Sequence, residues 1–151
     1  MKQIASFSVD HDKITPGFYI SRIDGDITSY DLRTRTPNAG DYMDNVTMHS
    51  VEHMLATFLR NSPVGEHIIY FGPMGCRTGF YLLVRDLSHD AAFDELREAL
   101  AETCANTGGV FGATRKECGN YLELDIDAAK RECAAYLALL NDYKGDYTYE
   151  Q

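Results

Sequence analysis

The sequence is poor in basic residues, with 14 lysines and arginines against 23 aspartates and glutamates and a formal net charge of -9. A general nucleic-acid-binding protein needs a basic face to contact phosphates, and electrostatic docking on an anionic membrane needs clustered cations. We therefore expect neither nucleic acid nor a membrane among the partners of this protein.

The sequence also has no long hydrophobic segment. No run approaches the roughly 20 apolar residues that span a bilayer, and the first residues, MKQIASFSVDHDK, lack the apolar stretch of a secretory signal. On these grounds we expect a cytoplasmic protein. Its four cysteines are then expected to be free thiols, metal ligands or a nucleophile rather than disulfides.

No internal repeat, low-complexity segment or Pro/Gly/Ser-rich linker divides the chain. Apolar residues make up 44% and charged residues 25%, which is typical of a folded protein with a substantial core. A length of 151 residues suits one compact domain. We predict a single domain over residues 1–151, in which about residues 143–151 form a loosely ordered tail.

The chain contains a mixture of strand and helix patterns. Runs rich in β-formers occur at GFYISRI, ITSYDLRT, HIIYFG and GFYLLVRD, and the turn signal DGD separates the first two. Apolar residues spaced by three and four predict helices over residues 44–61, 90–106 and 127–140. Because no regular βαβ rhythm is present, we predict an α+β fold with helices on one face of a mostly antiparallel sheet.

The segment MHSVEHML, residues 48–55, carries the strongest chemical pattern. On a helix, His49 and His53 lie on one face about one turn apart, and two imidazoles at that spacing can hold one metal ion. Glu52 completes an H-x-x-E-H pattern, in which the glutamate of known metalloenzymes is a general base. The alternative is an ordinary solvated helix face.

A catalytic metal site usually has a third protein ligand and an open position. Cys118 is the most interesting candidate because it lies in a turn-like context before Gly119-Asn120, although it is equally interpretable as a structural cysteine. The further candidates are Glu117, His67, His89 and His11. A thiolate with two imidazoles suits iron(II), cobalt or zinc better than magnesium or calcium.

Cys76 lies between glycines in the segment GPMGCRTG. These glycines favour a tight turn between two strands, which places the thiol at a loop tip, and the charge of Arg77 would favour a reactive thiolate. The alternative is a packed cysteine at a strand end. Cys104 and Cys133 fall on apolar helix faces, and we predict that both belong to the core.

Five segments together resemble the S-ribosylhomocysteine lyase (LuxS) family: SFSVDH, YDLRTRTPN, HSVEH, GPMGCRTGFY and ECGN. They occur in the order found in that family and extend over nearly the whole chain. The resemblance implies a catalytic domain that forms a homodimer of α+β subunits with two active sites at the interface. It also implies one iron(II) ion per subunit, which zinc or cobalt can replace.

The resemblance assigns roles to matching positions. It implies that His49, His53 and Cys118 are the metal ligands, that Cys76 is the catalytic cysteine and that Glu52 is the second acid/base. Four further residues would bind substrate: Ser6, Phe7 and His11 at the homocysteine end, and Arg33 near the ribose, across the dimer.

The implied reaction moves a carbonyl along the ribose and then eliminates L-homocysteine from S-ribosyl-L-homocysteine. The other product would be 4,5-dihydroxy-2,3-pentanedione, the precursor of the quorum-sensing signal autoinducer-2, and the cleavage would serve the activated methyl cycle. The alternatives are an H-x-x-E-H metallohydrolase, with Glu117 as a possible third ligand, and a non-catalytic metal-binding module.

Four positions differ from the pattern of the family. Thr34 and Arg35 replace an aromatic residue and a cysteine that many members have, Tyr70 replaces an acidic residue, and a histidine is replaced around Leu124. None of these positions is an implied metal ligand, and Arg35 would add a positive charge near the rim of the pocket.

Overall fold

The computed structural model describes residues 1–150, which form one antiparallel sheet and a set of helices. The strands are β1 (Gly17–Asp24), β2 (Ile27–Arg33), β3 (Ile68–Pro73) and β4 (Gly79–Arg85). The helices are α1 (Ala5–Ser8), α2 (Asn45–Arg60), α3 (His89–Ala105) and α4 (Ile126–Asn141), with one 3-10 turn at Gly65–His67. The predicted α+β class with an antiparallel sheet is confirmed, and the sequence patterns did not predict α1.

The sheet has the strand order β1-β2-β4-β3, and every neighbouring pair is antiparallel. Tyr30 of β2 pairs with Leu82 of β4, and Arg33 pairs with Gly79. A Cβ atom at Gly79 would lie 2.5 Å from the carbonyl oxygen of Leu32. The glycine is therefore needed where β4 begins against the end of β2, which is also where Arg33 is located.

One face of the sheet packs against the three long helices. Alternate strand residues such as Phe18, Leu32 and Leu82 are fully buried there, as the two-residue period of a strand requires. They share one core cluster with α2, α3 and α4, which contribute residues such as Leu55 and Leu100. Cys133 belongs to this core as predicted, and Cys104 is half-buried and packs against it.

The other face of the sheet is only partly covered. Short helix α1 lies beside it, and an open cleft of 540 Å³ extends between α1 and strand residues that include Ser21, Ser29 and Leu83. Large apolar side chains remain exposed on the chain, including Ile4, Phe7, Ile23, Tyr70 and Leu122. Within residues 1–150, no helix combines the length and the apolar character needed to cross a membrane.

The C-terminal tail follows the outer strand β1. The Ile20 N–H donates to the carbonyl of Tyr147 at 2.6 Å, the Tyr143 hydroxyl donates to the carbonyl of Phe18 at 3.0 Å, and the ring of Tyr149 stacks on Tyr19. The loose order predicted for residues 143–151 stays a prediction. The contacts of Tyr143, Tyr147 and Tyr149 do not favour it, and Gln151 lies outside the described residues.

The additional cation at Arg35 is held by carboxylates. Its Nε and Nη2 donate to the two oxygens of Glu132 on α4 at 3.0 and 2.8 Å, and Nη1 donates to Asp41 at 2.7 Å. Hydrogen bonding to Glu132 is the main cause that raises the pKa of Arg35. The Arg35 guanidinium therefore links the loop after β2 to α4.

Candidate metal centre and catalytic cleft

Helix α2 orients the two histidines through its opposite, apolar face. Asp44 caps the helix by accepting a hydrogen bond from the Thr47 N–H. Val51 and Met54 are buried in the core, and this burial fixes the rotation of the helix about its axis. His49 and His53 consequently lie one turn apart on a half-buried face.

The segment between α3 and α4 carries Cys118 to these histidines. The Cys118 Sγ atom lies 3.3 Å from His49 Nε2 and 3.8 Å from His53 Nε2, and the three ligand atoms lie within 4.8 Å of one another. Ligand atoms around a tetrahedral ion with bonds of roughly 2.0–2.3 Å are about 3.3–3.8 Å apart. The spacing of these three atoms therefore fits one transition-metal ion.

Backbone carbonyls hold both imidazoles in the orientation that metal binding requires. His49 Nδ1 is 3.0 Å from the Glu123 oxygen, and His53 Nδ1 is 2.7 Å from the Phe111 oxygen. An N–H on Nδ1 donates to each carbonyl and leaves the Nε2 lone pair free to face Cys118. This arrangement is typical of metal-binding histidines and is not expected of an ordinary solvated helix face.

Neighbouring backbone supports this arrangement. The Asn120 N–H donates to Cys118 Sγ at 3.4 Å, which stabilises a thiolate. Gly112 has a φ of +66°, and a Cβ there would lie 3.3 Å from His53 Nδ1. A glycine thus allows the loop to turn close against the imidazole.

The other candidates for a third ligand have different contacts. The Glu117 carboxylate accepts hydrogen bonds from Thr114. His67 Nδ1 contacts the carbonyl of Arg85, and His89 Nδ1 contacts the Tyr30 hydroxyl at 2.7 Å. His11 lines a separate cleft. Within residues 1–150, His49, His53 and Cys118 form the group of three that has metal-binding spacing.

Cys76 occupies the tip of the turn between β3 and β4, as predicted. The Met74 N–H bonds to the carbonyl of Gly79 at 2.9 Å and closes the turn, and Cys76 is exposed. Arg77, however, is turned towards the ring of Tyr42, 5.5 Å away. The cation beside the thiol is instead Arg33, whose Nη1 lies 3.8 Å from Cys76 Sγ.

Arg33 reaches the thiol from a buried ion pair. Its Nε and Nη2 donate to the two carboxylate oxygens of Asp31 at 3.1 and 2.7 Å, and both residues are almost fully buried. Burial acts against the charged guanidinium, but the hydrogen bonds and the charge of Asp31 outweigh it and raise the pKa of Arg33. The Arg33 guanidinium therefore stays positively charged at this end of the sheet.

A cleft of 380 Å³ opens in front of Cys76 and Arg33. Ser6, Phe7 and His11 line its other side, so the structure brings together the four predicted substrate-binding residues and Cys76. This volume lies within the usual range of small-molecule sites.

The metal-spaced cluster and the Cys76 cleft are separate features of one chain. None of the residues that line the cleft belongs to the group His49, His53 and Cys118. Glu52 is half-buried on α2 with the two histidines, and it is likewise not among the residues lining the cleft. One chain therefore presents two separate groups of candidate site residues.

Sequence reasoning missed Asp31 and Thr78, which contact the cleft residue Arg33 from behind the cleft lining. Thr78 Oγ1 lies 3.1 Å from Cys76 Sγ and accepts from Arg33 Nη1 at 2.8 Å. Asp31 and Arg33 are two residues apart on a strand, so both lie on one face. This spacing could have revealed the ion pair from the sequence.

Comparison with known proteins gives one consistent result. The family model described as S-Ribosylhomocysteinase (LuxS) matches residues 4–145. Relatives named S-ribosylhomocysteine lyase include one from Borreliella afzelii, 43% identical over 150 residues, which cover 95% of this chain and 96% of the relative. Another from Finegoldia magna is 42% identical over 149 residues, 95% of each chain. A third from Clostridium acetobutylicum is 41% identical over 152 residues, 97% of this chain and 96% of the relative.

Proposed function

Because the chain belongs to the S-ribosylhomocysteine lyase (LuxS) family, we propose that these two groups of residues together perform the reaction of that family. The protein is a carbon–sulfur lyase that cleaves the thioether of S-ribosyl-L-homocysteine. Its products are L-homocysteine and 4,5-dihydroxy-2,3-pentanedione, the autoinducer-2 precursor.

His49, His53 and Cys118 hold the metal in this proposal. The observation that carries it is the 3.3 and 3.8 Å spacing of Cys118 Sγ from the two Nε2 atoms, with both Nδ1 atoms bound to backbone carbonyls. One thiolate and two imidazoles suit iron(II), for which zinc or cobalt can substitute. When bound, one such ion per subunit supplies Lewis-acid stabilisation of negative charge on the sugar oxygens.

Cys76 and Glu52 share the proton transfers. Each carbonyl migration requires a base that removes a proton from a carbon next to the carbonyl and an acid that returns it at the neighbouring atom. Once the carbonyl stands β to the thioether carbon, removal of the proton between them breaks the C–S bond. The electron pair leaves on the homocysteine sulfur, which is then protonated.

The cleft residues position the substrate. Ser6, Phe7 and His11 bind the homocysteine end, and Arg33 contacts the ribose while its charge favours the thiolate of Cys76. The support for these roles is their common position around one cavity with Cys76. None of the four cysteines is in a disulfide, which supports the proposed cytoplasmic location, where thiols stay reduced.

The enzyme is a homodimer in which each active site combines half-sites from two chains. Exposed apolar residues flank both half-sites: Phe7 is 68% exposed beside the Cys76 cleft, and Leu122 is 80% exposed in the segment that carries Cys118. Arg33 and Cys76 lie in one cleft, so if Arg33 acts across the dimer, Cys76 acts across it as well.

Mixed dimers test this arrangement. Cys76→Ala and Glu52→Gln chains are each expected to be nearly inactive as homodimers. In a hybrid dimer, one site receives both intact residues, so an equal mixture is expected to recover about a quarter of the wild-type activity after subunit exchange. Activity is measured on the unfractionated mixture, and two different affinity tags on the chains report the proportion of hybrid dimers.

The matched control is a mixture of Cys76→Ala with Arg33→Ala chains. Both substitutions lie in the same half-site, so no hybrid site is intact and no recovery is expected. Recovery in this control, or none in the first mixture, would contradict the division of the site between chains.

Release of free thiol tests the function itself. Metal-replete protein incubated with S-ribosyl-L-homocysteine is expected to release one homocysteine thiol per substrate, followed with a chromogenic disulfide. A metallohydrolase or a metal-binding module would release none. Absence of thiol from metal-replete protein would overturn the proposed function.

A further inference from the structure

The C-terminal tail reaches the ion pair behind Cys76. The Tyr149 hydroxyl donates a hydrogen bond of 2.7 Å to Asp31 Oδ2, the oxygen that also accepts from Arg33 Nη2 at 2.7 Å. Asp31 and Arg33 are 1% and 2% exposed. The buried carboxylate therefore divides its hydrogen bonds between Arg33 and a tyrosine that lies outside the residues matched by the family model.

Several contacts hold Tyr149 in this position. Its ring stacks on Tyr19 with centroids 5.0 Å apart and an interplanar angle of 19°, and the preceding chain is fixed by the bond from the Ile20 N–H to the carbonyl of Tyr147. Burial, followed by the charge of Asp31, raises the pKa of Tyr149. The phenol therefore remains a protonated donor throughout the working pH range.

Arg33 faces the reacting thiol on its other side. Nη1 donates to Thr78 Oγ1 at 2.8 Å and lies 3.8 Å from Cys76 Sγ. One guanidinium is thus shared between a carboxylate and a thiol. Its effect on Cys76 depends on how much of its charge Asp31 compensates.

We propose that Tyr149 is a positioning residue for the Cys76 cleft and acts through Asp31 and Arg33. The phenol donates to Asp31 and offsets part of the carboxylate charge. More of the positive potential of Arg33 is then available to stabilise the Cys76 thiolate. The tail is consequently a part of the active site, and this inference rests on the roles proposed above for Cys76 and Arg33.

Tyr149→Phe tests the proposal because it removes the hydroxyl and keeps the ring that stacks on Tyr19. Alkylation of Cys76 by iodoacetamide at fixed pH is expected to slow by about fivefold, since the thiolate is the reactive form. The value of kcat/KM is expected to fall by a similar factor. Mass spectrometry of the peptide that contains Cys76 separates its alkylation from that of the other cysteines.

Tyr147→Phe is the matched control. Tyr147 is also a tail tyrosine whose hydroxyl donates to a carboxylate, that of Asp90 at 2.7 Å, but it does not contact the Asp31–Arg33 pair. In Tyr147→Phe, the rate of Cys76 alkylation is expected to remain within about twofold of the wild-type rate.

A purely structural role of the tail predicts no decrease in alkylation. Cys76 is already exposed and none of the tail residues 143–150 lines its cleft, so loosening the tail would not restrict access to the thiol. Faster or unchanged alkylation in Tyr149→Phe, or an equal decrease in Tyr147→Phe, would overturn the proposal. The alkylation assay needs no turnover, so its outcome is independent of the thiol-release test of the proposed function.

Discussion

Cys76→Ala is expected to lower kcat for homocysteine release by about 10³-fold or more while metal binding is retained. Cys76 lies in the cleft with Arg33 3.8 Å from its sulfur, and alanine cannot transfer a proton. The three proposed ligands form a different cluster, so the substitution leaves the metal in place. Thiol release and metal content by mass spectrometry are measured on the same sample.

Cys104→Ala is the control for this prediction. Cys104 is a half-buried cysteine on α3 whose Sγ lies 3.9 Å from the carbonyl of Lys130, away from both half-sites. The kcat of Cys104→Ala is expected to remain within about twofold of the wild-type value. If Cys76→Ala retained a tenth of the activity or more, another group would have to carry the proton transfers. Loss of metal in Cys76→Ala would place Cys76 among the metal ligands.

Cys118→Ala is expected to weaken metal binding by more than about 100-fold and to abolish turnover. Loss even of a group that orients a ligand typically costs 10–100-fold in affinity, and this substitution removes a ligand itself. The remaining His49 and His53 would hold the ion by two bonds only. Competition with a chromogenic chelator, at fixed total metal, measures the affinity of each variant.

Glu117→Ala tests whether the third metal ligand is the thiolate of Cys118 or, as in the hydrolase alternative, the carboxylate of Glu117. The Glu117 carboxylate bonds to Thr114 and is not part of the metal-spaced group. We expect this variant to retain full occupancy. Wild-type affinity in Cys118→Ala together with metal loss in Glu117→Ala would assign the third position to the carboxylate.

Most of the secondary structure could be predicted from local patterns. The predicted helix over residues 44–61 corresponds to Asn45–Arg60, and that over residues 127–140 corresponds to Ile126–Asn141. Period-two and period-3.6 patterns determine such elements directly. Helix α1 was missed because it has four residues and no buried side chain, so no periodicity exists to detect.

The site was predictable only in part. His49 and His53 follow from helical spacing. Cys118 lies 65 residues beyond His53 in a segment without periodicity, so its turn-like context made it one candidate among several, and only the family resemblance singled it out. Arg77 is the sequence neighbour of Cys76, yet Arg33 is its neighbour in space. That contact results from the pairing of β2 with β4, which local sequence does not specify.

The segment between α3 and α4 contains no helix or strand, yet it supplies Cys118 as well as the carbonyls of Phe111 and Glu123 that hold the two imidazoles. A bound ion would therefore attach this long irregular segment to α2. Binding energy gained there is also folding energy. Metal-depleted protein is therefore expected to be cut by proteases between α3 and α4 sooner than metal-replete protein, because the ion no longer restrains this segment.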